Sequence, residues 1–154
     1  LLSLNYKQLI KKTTDERSFI SSNKEEIQKT CHKKFIYDKE KIKDNKIIVI
    51  DDTIVRGNVM RYICKSLKEC GAKEIHVRIP SPPIIDICQL GIPINNKREL
   101  LMLNNTNKET CSLLGIDSLL FLEKDILNEL PFDTYRECFG GGIKEEIIAY
   151  LKQI

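Results

Sequence analysis

The sequence lacks the long apolar run that a membrane-spanning helix needs. No stretch of its 154 residues approaches the roughly 20 consecutive apolar residues that cross a bilayer. The start, Leu1-Leu2-Ser3-Leu4, also lacks the basic flank of a signal peptide. We therefore expect no association with a membrane.

Signatures of zinc and nucleic-acid binding are missing as well. The six cysteines form no Cys-x-x-Cys pair, which argues against a zinc site. They are scattered along the chain and do not form a tight framework, so we expect reduced thiols and a cytoplasmic location. The net charge of +3 is too small to indicate nucleic-acid binding, and positive and negative residues alternate.

Two common phosphate-binding motifs are also absent, namely Gly-x-x-x-x-Gly-Lys-Ser/Thr and Gly-x-Gly-x-x-Gly.

What the sequence has is an abrupt change at residue 47. The polar stretch 37–46, with a turn signal at Asp44-Asn45, gives way to Ile47-Ile48-Val49-Ile50. This continuous β-branched run predicts a strand buried on both faces of a parallel sheet.

Residues 47–79 predict a strand, loop, helix and strand in succession. Apolar residues at helical spacing over 58–70 end at Gly71, a typical helix terminator, and residues 74–79 alternate as a strand does. The fold class is therefore α/β, a parallel sheet flanked by helices in one domain. Further helices are predicted at 23–28, 97–103, 107–114, 123–130 and 143–153, a strand at 118–121 and a loop at 11–16.

A candidate site follows the first predicted strand. In open α/β sheets ligands bind beyond the carboxyl ends of the strands, where this strand delivers Asp51 and Asp52. Two adjacent carboxylates can accept hydrogen bonds from a ribose diol. Thr53 adds a hydroxyl, and the turn through Gly57 into a helix offers backbone amides to an anion. The layout indicates a ligand with a sugar diol and a phosphate.

The spacing alone leaves a plainer interpretation open. Two Asp residues after a strand are also typical of a solvated strand end or a helix cap. Receiver-type and P-loop folds likewise place Asp after a buried strand.

The nine residues from Val49 to Gly57 resemble the signature of type I phosphoribosyltransferases. Their ending, Ile54-Val55-Arg56-Gly57, is most similar to that of the amidophosphoribosyltransferases, the glutamine-dependent enzymes that open purine synthesis. The resemblance runs in order from about residue 5 to 140. Further matching segments are Arg17-Ser18-Phe19-Ile20, Lys34-Phe35, the residues 70–79, Ser81-Pro82-Pro83-Ile84, Arg98-Glu99-Leu100-Leu101 and the residues 114–119.

The resemblance implies a reaction that joins ammonia to C1 of phosphoribosyl pyrophosphate (PRPP), giving phosphoribosylamine and pyrophosphate. It implies Mg²⁺ as cofactor, held directly or indirectly by Asp51 and Asp52, which are also the expected catalytic residues at the ribose hydroxyls. The expected substrate-binding residues are Thr53, Ile54, Val55, Arg56, Gly57, Asn58, Arg17 and Lys34. Thr53 and the amides of 54–58 would hold the 5′-phosphate, and the last two would reach the pyrophosphate or brace a closing loop.

The resemblance also implies a domain plan. Residues 1–154 form part of a phosphoribosyltransferase domain, with a flexible loop and lead-in at 1–45, a core at 46–130 and a C-terminal tail and helix at 131–154. The family's glutaminase domain, which supplies the ammonia, is absent from this chain, and the fold is expected to be incomplete at its N-terminus. Full-length members are expected to form homo-oligomers.

The sequence departs from the family pattern in ways that bear on activity. Asn58 and Val59 stand where the family has two Thr residues, and Glu16 stands where it has Gly. Cys88 and Cys138 resemble two ligands of an iron–sulfur cluster, but Tyr135 replaces a third, so no cluster is expected. Three interpretations stay open: part of the enzyme, a regulatory module that binds PRPP or nucleotide without catalysis, and a decayed gene product.

Overall fold

A computed structural model describes residues 6–13, 35–88, 94, 96–131 and 136–141. The predicted helices at 23–28 and 143–153 lie outside these residues. The described strands and α-helices are β1 (Ile10–Lys12), β2 (Phe35–Tyr37), α1 (Lys39–Ile42), β3 (Lys46–Ile50), α2 (Asn58–Glu69), β4 (Glu74–Ile79), α3 (Leu101–Asn104), α4 (Asn107–Leu114) and β5 (Ser118–Phe121). Short 3-10 helices occur at Lys97–Glu99, Lys124–Glu129 and Glu137–Phe139.

The central sheet is parallel, flanked by helices, and has the strand order β3-β4-β5. Each strand follows the previous one in sequence with a helical connection between them, as parallel pairing requires. On β4 the apolar residues Ile75, Val77 and Ile79 are buried and the polar residues between them are not. The predicted α/β class and the strand, loop, helix and strand unit are confirmed.

The chain divides into two compact units. The described part of the first comprises 6–13, 35–49, Gly57–His76 and Cys111–Ser118, and its fully buried side chains are Ile42, Cys64, Leu67 and Ile75. The described part of the second lies within Ile50–Arg56, Val77–Thr110 and 119–141, and its fully buried side chains are Val77, Pro82, Leu100 and Thr110.

Glycines flank helix α2 on both sides, as its sequence predicts. Gly57 precedes it with a φ of 71°. At its other end Gly71 has a φ of 87°, and its amide donates to the carbonyl of Lys68 at 2.9 Å. The amide of Ala72 donates to the carbonyl of Leu67 at 3.0 Å. These two bonds form a Schellman motif, which satisfies carbonyls that the helix itself leaves unpaired.

Four sequence expectations are corrected by the described residues. β3 is not buried on both faces, because Ile48 and Ile50 are 46% and 72% exposed. A β-branched run favours extended backbone, but how many faces are covered depends on residues elsewhere in the chain. Residues 97–103 are not one helix, because Leu100 is extended between a 3-10 turn and α3. The helix predicted at 123–130 is a 3-10 helix.

The fourth correction concerns residues 11–16, which were expected to form a loop. Lys11 and Lys12 belong to β1, which pairs antiparallel with β2, with Lys12 opposite Phe35. Because the partner strand β2 lies more than twenty residues away in sequence, no local pattern in the segment 11–16 predicts this pairing.

Two further properties concern the described residues as a group. None of their helices is both long enough and apolar enough to cross a membrane. Their five cysteines carry free thiols: Cys64, Cys70, Cys88, Cys111 and Cys138.

Candidate functional site

The candidate loop begins where β3 ends and is fixed there by the end of β4. The amide of Asp51 donates to the carbonyl of Arg78 at 3.4 Å, a contact that follows directly on the strand. One residue later the carbonyl of Asp52 accepts a hydrogen bond from Ser81 Oγ at 2.9 Å. The two carboxylates therefore lie at the carboxyl end of β3, next to that of β4, where α/β sheets bind ligands.

The two carboxylates have different environments. Asp51 is half-buried and Asp52 is exposed. Burial raises the pKa of Asp51 above its usual range, and the charge of Asp52 raises it further, although the Asp52 amide, which donates to Asp51 Oδ1 at 3.1 Å, opposes the shift. Asp52 Oδ1 accepts from the amide of Thr53 at 3.0 Å. Partial burial of an acid that has few donors nearby leaves oxygen lone pairs available to a ligand's hydroxyl groups.

Thr53 carries a polar atom that the described protein does not satisfy. Its Oγ1 is buried and has no hydrogen-bond partner among the described residues. Buried hydroxyls almost always have a partner, because an unpaired one costs roughly 1–3 kcal/mol. An acceptor from a ligand, such as a phosphate oxygen, would satisfy it.

The apolar residues of the loop anchor it. Ile54 and Val55 are 3% and 7% exposed. Val55 packs in a buried cluster with Ile84, Ile94 and Leu100, and Cys138 and Phe139 pack against that cluster. The Val55 carbonyl accepts from the amide of Leu101 at 2.9 Å. The loop is thus held from behind by side chain and backbone together, within the second unit.

The basic side chain of the loop, Arg56, forms an ion pair within the second unit. Arg56 Nε donates to Glu99 Oε2 in an ion pair, with the two side chains 25% and 39% exposed. No described residue accepts a hydrogen bond from the amides of Ile54, Val55 or Arg56. The backbone of the loop, more than the Arg56 guanidinium, is therefore the part available to an anion.

The last two loop residues begin α2 in the first unit. The carbonyl of Gly57 accepts from the amide of Arg61 at 2.8 Å, which starts the helical pattern. In the described chain no side chain caps this end, and the first turn holds no acidic residue. Asn58 is the first helical residue, and the side chain of Val59 beside it offers no donor. Uncapped amides at a helix start suit an anion, helped by the helix dipole.

The structure thus places Asp51, Asp52, Thr53, Ile54, Val55 and Arg56 after β3 in the second unit, and Gly57 and Asn58 at the start of α2 in the first. Arg17 and Lys34 lie outside the described residues. No site role was expected from the sequence for Ser81 or Glu99, although both lie in segments that resemble the family. Ser81 is the second residue after β4, as Asp52 is the second after β3, and this matching position is a signal that the sequence contains. Nothing local distinguishes Glu99 from other surface acids.

Comparison with known proteins identifies the relatives of this fold and loop. The chain is 35% identical over 124 residues to the amidophosphoribosyltransferase of Archaeoglobus fulgidus, covering 80% of this chain and 27% of that protein. It is 41% identical over 114 residues to that of Pyrococcus horikoshii, covering 74% and 25%. With the protein of that name from Homo sapiens it shares 41% identity over 106 residues, covering 69% and 20%. No family model matches the chain.

Solved structures agree with the sequence comparison. A glutamine phosphoribosylpyrophosphate amidotransferase from B. subtilis, complexed with ADP and GMP, superimposes with a TM-score of 0.70 at 29% identity. The match covers 89% of this chain and 32% of the B. subtilis chain. A structure described as the allosteric regulatory enzyme of purine biosynthesis has a TM-score of 0.71 at 28% identity and covers 90% of this chain.

This chain matches one part of the amidophosphoribosyltransferases in both sequence and fold. It spans about a quarter of the length of the curated amidophosphoribosyltransferases from A. fulgidus and P. horikoshii. Among the described residues no group of three or more His, Cys, Asp or Glu side chains could hold a metal ion.

Proposed function

We propose that this chain carries the PRPP site of an amidophosphoribosyltransferase. The reaction breaks the bond between C1 of the ribose and the pyrophosphate oxygen and forms a bond between C1 and the nitrogen of ammonia. The observation that carries the proposal is the Asp51-Asp52-Thr53 sequence at the carboxyl end of β3, which has a half-buried acid and, two residues later, a buried hydroxyl with no partner among the described residues.

Each part of the loop has a role on this proposal. Asp51 and Asp52 accept hydrogen bonds from the two ribose hydroxyls and place negative charge near a sugar ring that becomes electron-poor as the bond to pyrophosphate breaks. Thr53 Oγ1 and the amides of residues 54–58 bind the 5′-phosphate. Because diol and phosphate are both held, C1 is positioned for attack, and positioning supplies much of the rate enhancement in such reactions. Arg17 and Lys34 are proposed to bind the pyrophosphate.

The donor set suits Mg²⁺. This ion prefers oxygen ligands and is usually held by one or two carboxylates together with substrate phosphates. Asp51 and Asp52 are two adjacent carboxylates with no third acidic group beside them in the described chain, so the remaining ligands would come from the substrate and water. When bound, the ion supplies positive charge that stabilises the departing pyrophosphate.

The wider context is also part of the proposal. We propose residues 46–130 as the core that carries the loop and 1–45 as its lead-in, and the C-terminal helix expected within 131–154 lies outside the described residues. The ammonia comes from glutamine through a glutaminase domain outside this sequence, and the working enzyme is a cytoplasmic homo-oligomer in the first step of purine synthesis.

A second candidate is a module that binds PRPP or nucleotide without catalysis. Val59 favours it, because a side chain without a donor stands in the first turn of α2, where the family has Thr. One lost hydrogen bond to a charged group costs roughly 1.5–3 kcal/mol, or at least tenfold in affinity.

Calorimetric titration of the 154-residue chain with PRPP and Mg²⁺ tests both candidates. We expect heat of binding and a raised unfolding temperature, and we expect both to weaken without Mg²⁺. Release of pyrophosphate in the presence of ammonium salts separates the enzyme from the binding module. No heat and no stabilisation at millimolar PRPP would contradict both candidates.

A further inference from the structure

A second segment of the chain contacts the loop at two of its residues. Glu99 pairs with the Arg56 side chain, and the amide of Leu101 donates to the Val55 carbonyl at 2.9 Å. Leu100, between them, is 1% exposed and packs in the cluster that contains Val55. Three consecutive residues thus hold two consecutive loop residues by charge, backbone and packing, all within the second unit.

Local hydrogen bonds also fix the turn that leads into the segment 99–101, which contacts the loop. The side chain of Asn96 accepts a hydrogen bond from the amide of Arg98 at 3.0 Å. The backbone carbonyl of Asn96 accepts one from the amide of Glu99 at 3.0 Å. The resulting 3-10 turn, Lys97–Glu99, presents the Glu99 carboxylate in a fixed direction. On the same turn Lys97 pairs with Asp86 at 2.8 Å, a contact that does not involve the loop.

We propose that Glu99 is a positioning residue for the phosphate-binding loop. By holding the Arg56 side chain it fixes the peptide groups on either side of Arg56, so that their amides point to where the 5′-phosphate binds. Arg56 then serves the phosphate through its backbone, and its guanidinium is a tether. This inference rests on the proposed PRPP site.

The physical reason is preorganisation. A loop whose amides must converge on one anion loses conformational entropy when it binds, unless it is already held in the bound shape. A planar guanidinium on a carboxylate is a directional contact and suits such a tether better than a point charge does. It also keeps a strong cation from pairing with the phosphate in an unproductive position.

The test compares three ligands across a mutant cycle. The variants are Glu99→Gln, Arg56→Gln and the double substitution, and the ligands are PRPP with Mg²⁺, ribose 5-phosphate, and pyrophosphate with Mg²⁺. Because partly exposed ion pairs contribute up to ~1 kcal/mol, we expect each variant to bind the two 5′-phosphate ligands about fivefold more weakly. Pyrophosphate affinity should not change. The double variant should be no weaker than either single one, because the side chains act as one unit.

Asp86→Asn is the matched control, because it removes the other ion pair of the same turn without touching the loop. It should leave all three affinities unchanged. Circular dichroism checks that each variant is folded, and Arg56→Lys, which keeps the charge, should recover part of the loss.

The outcomes distinguish failure of the proposed PRPP site from failure of the positioning role alone. If the unmodified chain binds neither PRPP nor ribose 5-phosphate, the proposed function fails, and this inference fails with it. If it binds both but Glu99→Gln binds ribose 5-phosphate equally well or more tightly, the positioning role is overturned while the site stands. A loss in Arg56→Gln much larger than in Glu99→Gln would show that the guanidinium contacts the phosphate directly.

Discussion

The side chains of the loop are better suited to a ligand than to the stability of the free protein. Asp51 is an acid whose burial disfavours its charge, and Thr53 holds a buried hydroxyl that no described residue satisfies. Natural proteins keep such unfavourable groups mainly at functional sites. Substitutions here should therefore separate stability from binding.

Asp51→Asn should stabilise the free chain at neutral pH and weaken PRPP binding. Because the folded-state pKa is raised above its usual 3.8, the contribution of Asp51 to stability is complete below that value and is lost as pH rises through the folded pKa. Asn has no charge to bury. We expect a higher unfolding temperature than that of the unmodified chain at pH 7 and little difference at pH 3.

The same variant should bind PRPP at least about tenfold more weakly, since a hydrogen bond to a charged group is lost. Thermal unfolding at the two pH values and calorimetry at pH 7 measure the two effects. Asp52→Asn is the control, because Asp52 is exposed and its replacement should weaken binding with no gain in stability. Unchanged affinity in Asp51→Asn would rule out its contact with the ribose.

Thr53→Val tests the unsatisfied hydroxyl. The substitution keeps the branched shape and removes a buried oxygen that has no described partner, so we expect equal or higher stability in urea. Ribose 5-phosphate should bind about tenfold more weakly. Thr110→Val is a fitting comparison, because fully buried Thr110 donates to Met102 Sδ at 3.4 Å and its loss should lower stability without changing affinity. A destabilised Thr53→Val chain with full affinity would contradict the assignment.

At the scale of elements, the glycines that end two helices differ in the space around them. Both Gly71 and Gly115 have positive φ, at 87° and 68°. A Cβ on Gly71 would lie 3.3 Å from Lys43 Cγ, whereas one on Gly115 would meet nothing within 4 Å. Gly115→Ala should cost about 1 kcal/mol from backbone strain alone. Gly71→Ala should cost more, and urea unfolding of the two variants measures the difference.

The acid at the start of β5 tests electrostatics at the same scale. Asp117 Oδ2 accepts from the amide of Ile75 at 2.8 Å and from Lys68 Nζ at 3.3 Å, so one side chain connects β4 and α2 in the first unit. The hydrogen bond from the Ile75 amide is the main cause that holds the pKa of Asp117 below its usual value, and the contact with Lys68 lowers this pKa further. Its contribution is present above the unfolded value and is lost as pH falls through the lower folded pKa.

Asp117→Asn should therefore lower stability at pH 7 by about 0.5–1 kcal/mol, a figure reduced for the 41% exposure of the side chain. The loss should shrink toward pH 2 and in 1 M salt, where the ion pair with Lys68 is screened. Urea unfolding at the two pH values measures it. An equal loss at both would show that the charge of Asp117 does not contribute.

The sequence predicted elements where local signals agree and failed where distant partners decide. β4, α4 and β5 have the predicted bounds, because alternation, helical spacing and a terminal glycine mark them within a few residues. The β1–β2 pair, the exposed face of β3 and the extended Leu100 all depend on packing from elsewhere. The same holds for the site. The loop is contiguous and could be predicted from the sequence, whereas Ser81 and Glu99, which contact the loop, lie in distant segments and were not predicted.

At the scale of the whole molecule, a buried thiol can report how often the first unit opens. Cys64 on α2 is fully buried, and burial raises its pKa to about 12. Only the thiolate reacts readily with alkylating agents, so at pH 8 this side chain is protected both by its pKa and by lack of access. Cys70, at the end of the same helix, is half-buried and serves as an internal control.

We expect iodoacetamide at pH 8 to label Cys70 in the folded chain and Cys64 only as urea unfolds it, with peptide mass spectrometry assigning each site. Because labelling of Cys64 requires opening of the core, its rate should rise with urea in parallel with the unfolded fraction. PRPP with Mg²⁺ should slow it further if ligand binding stabilises the folded state. Labelling of Cys64 as fast as Cys70 without urea would mean that α2 detaches locally while the rest stays folded. The uncapped start of α2 would then be too mobile to hold a phosphate.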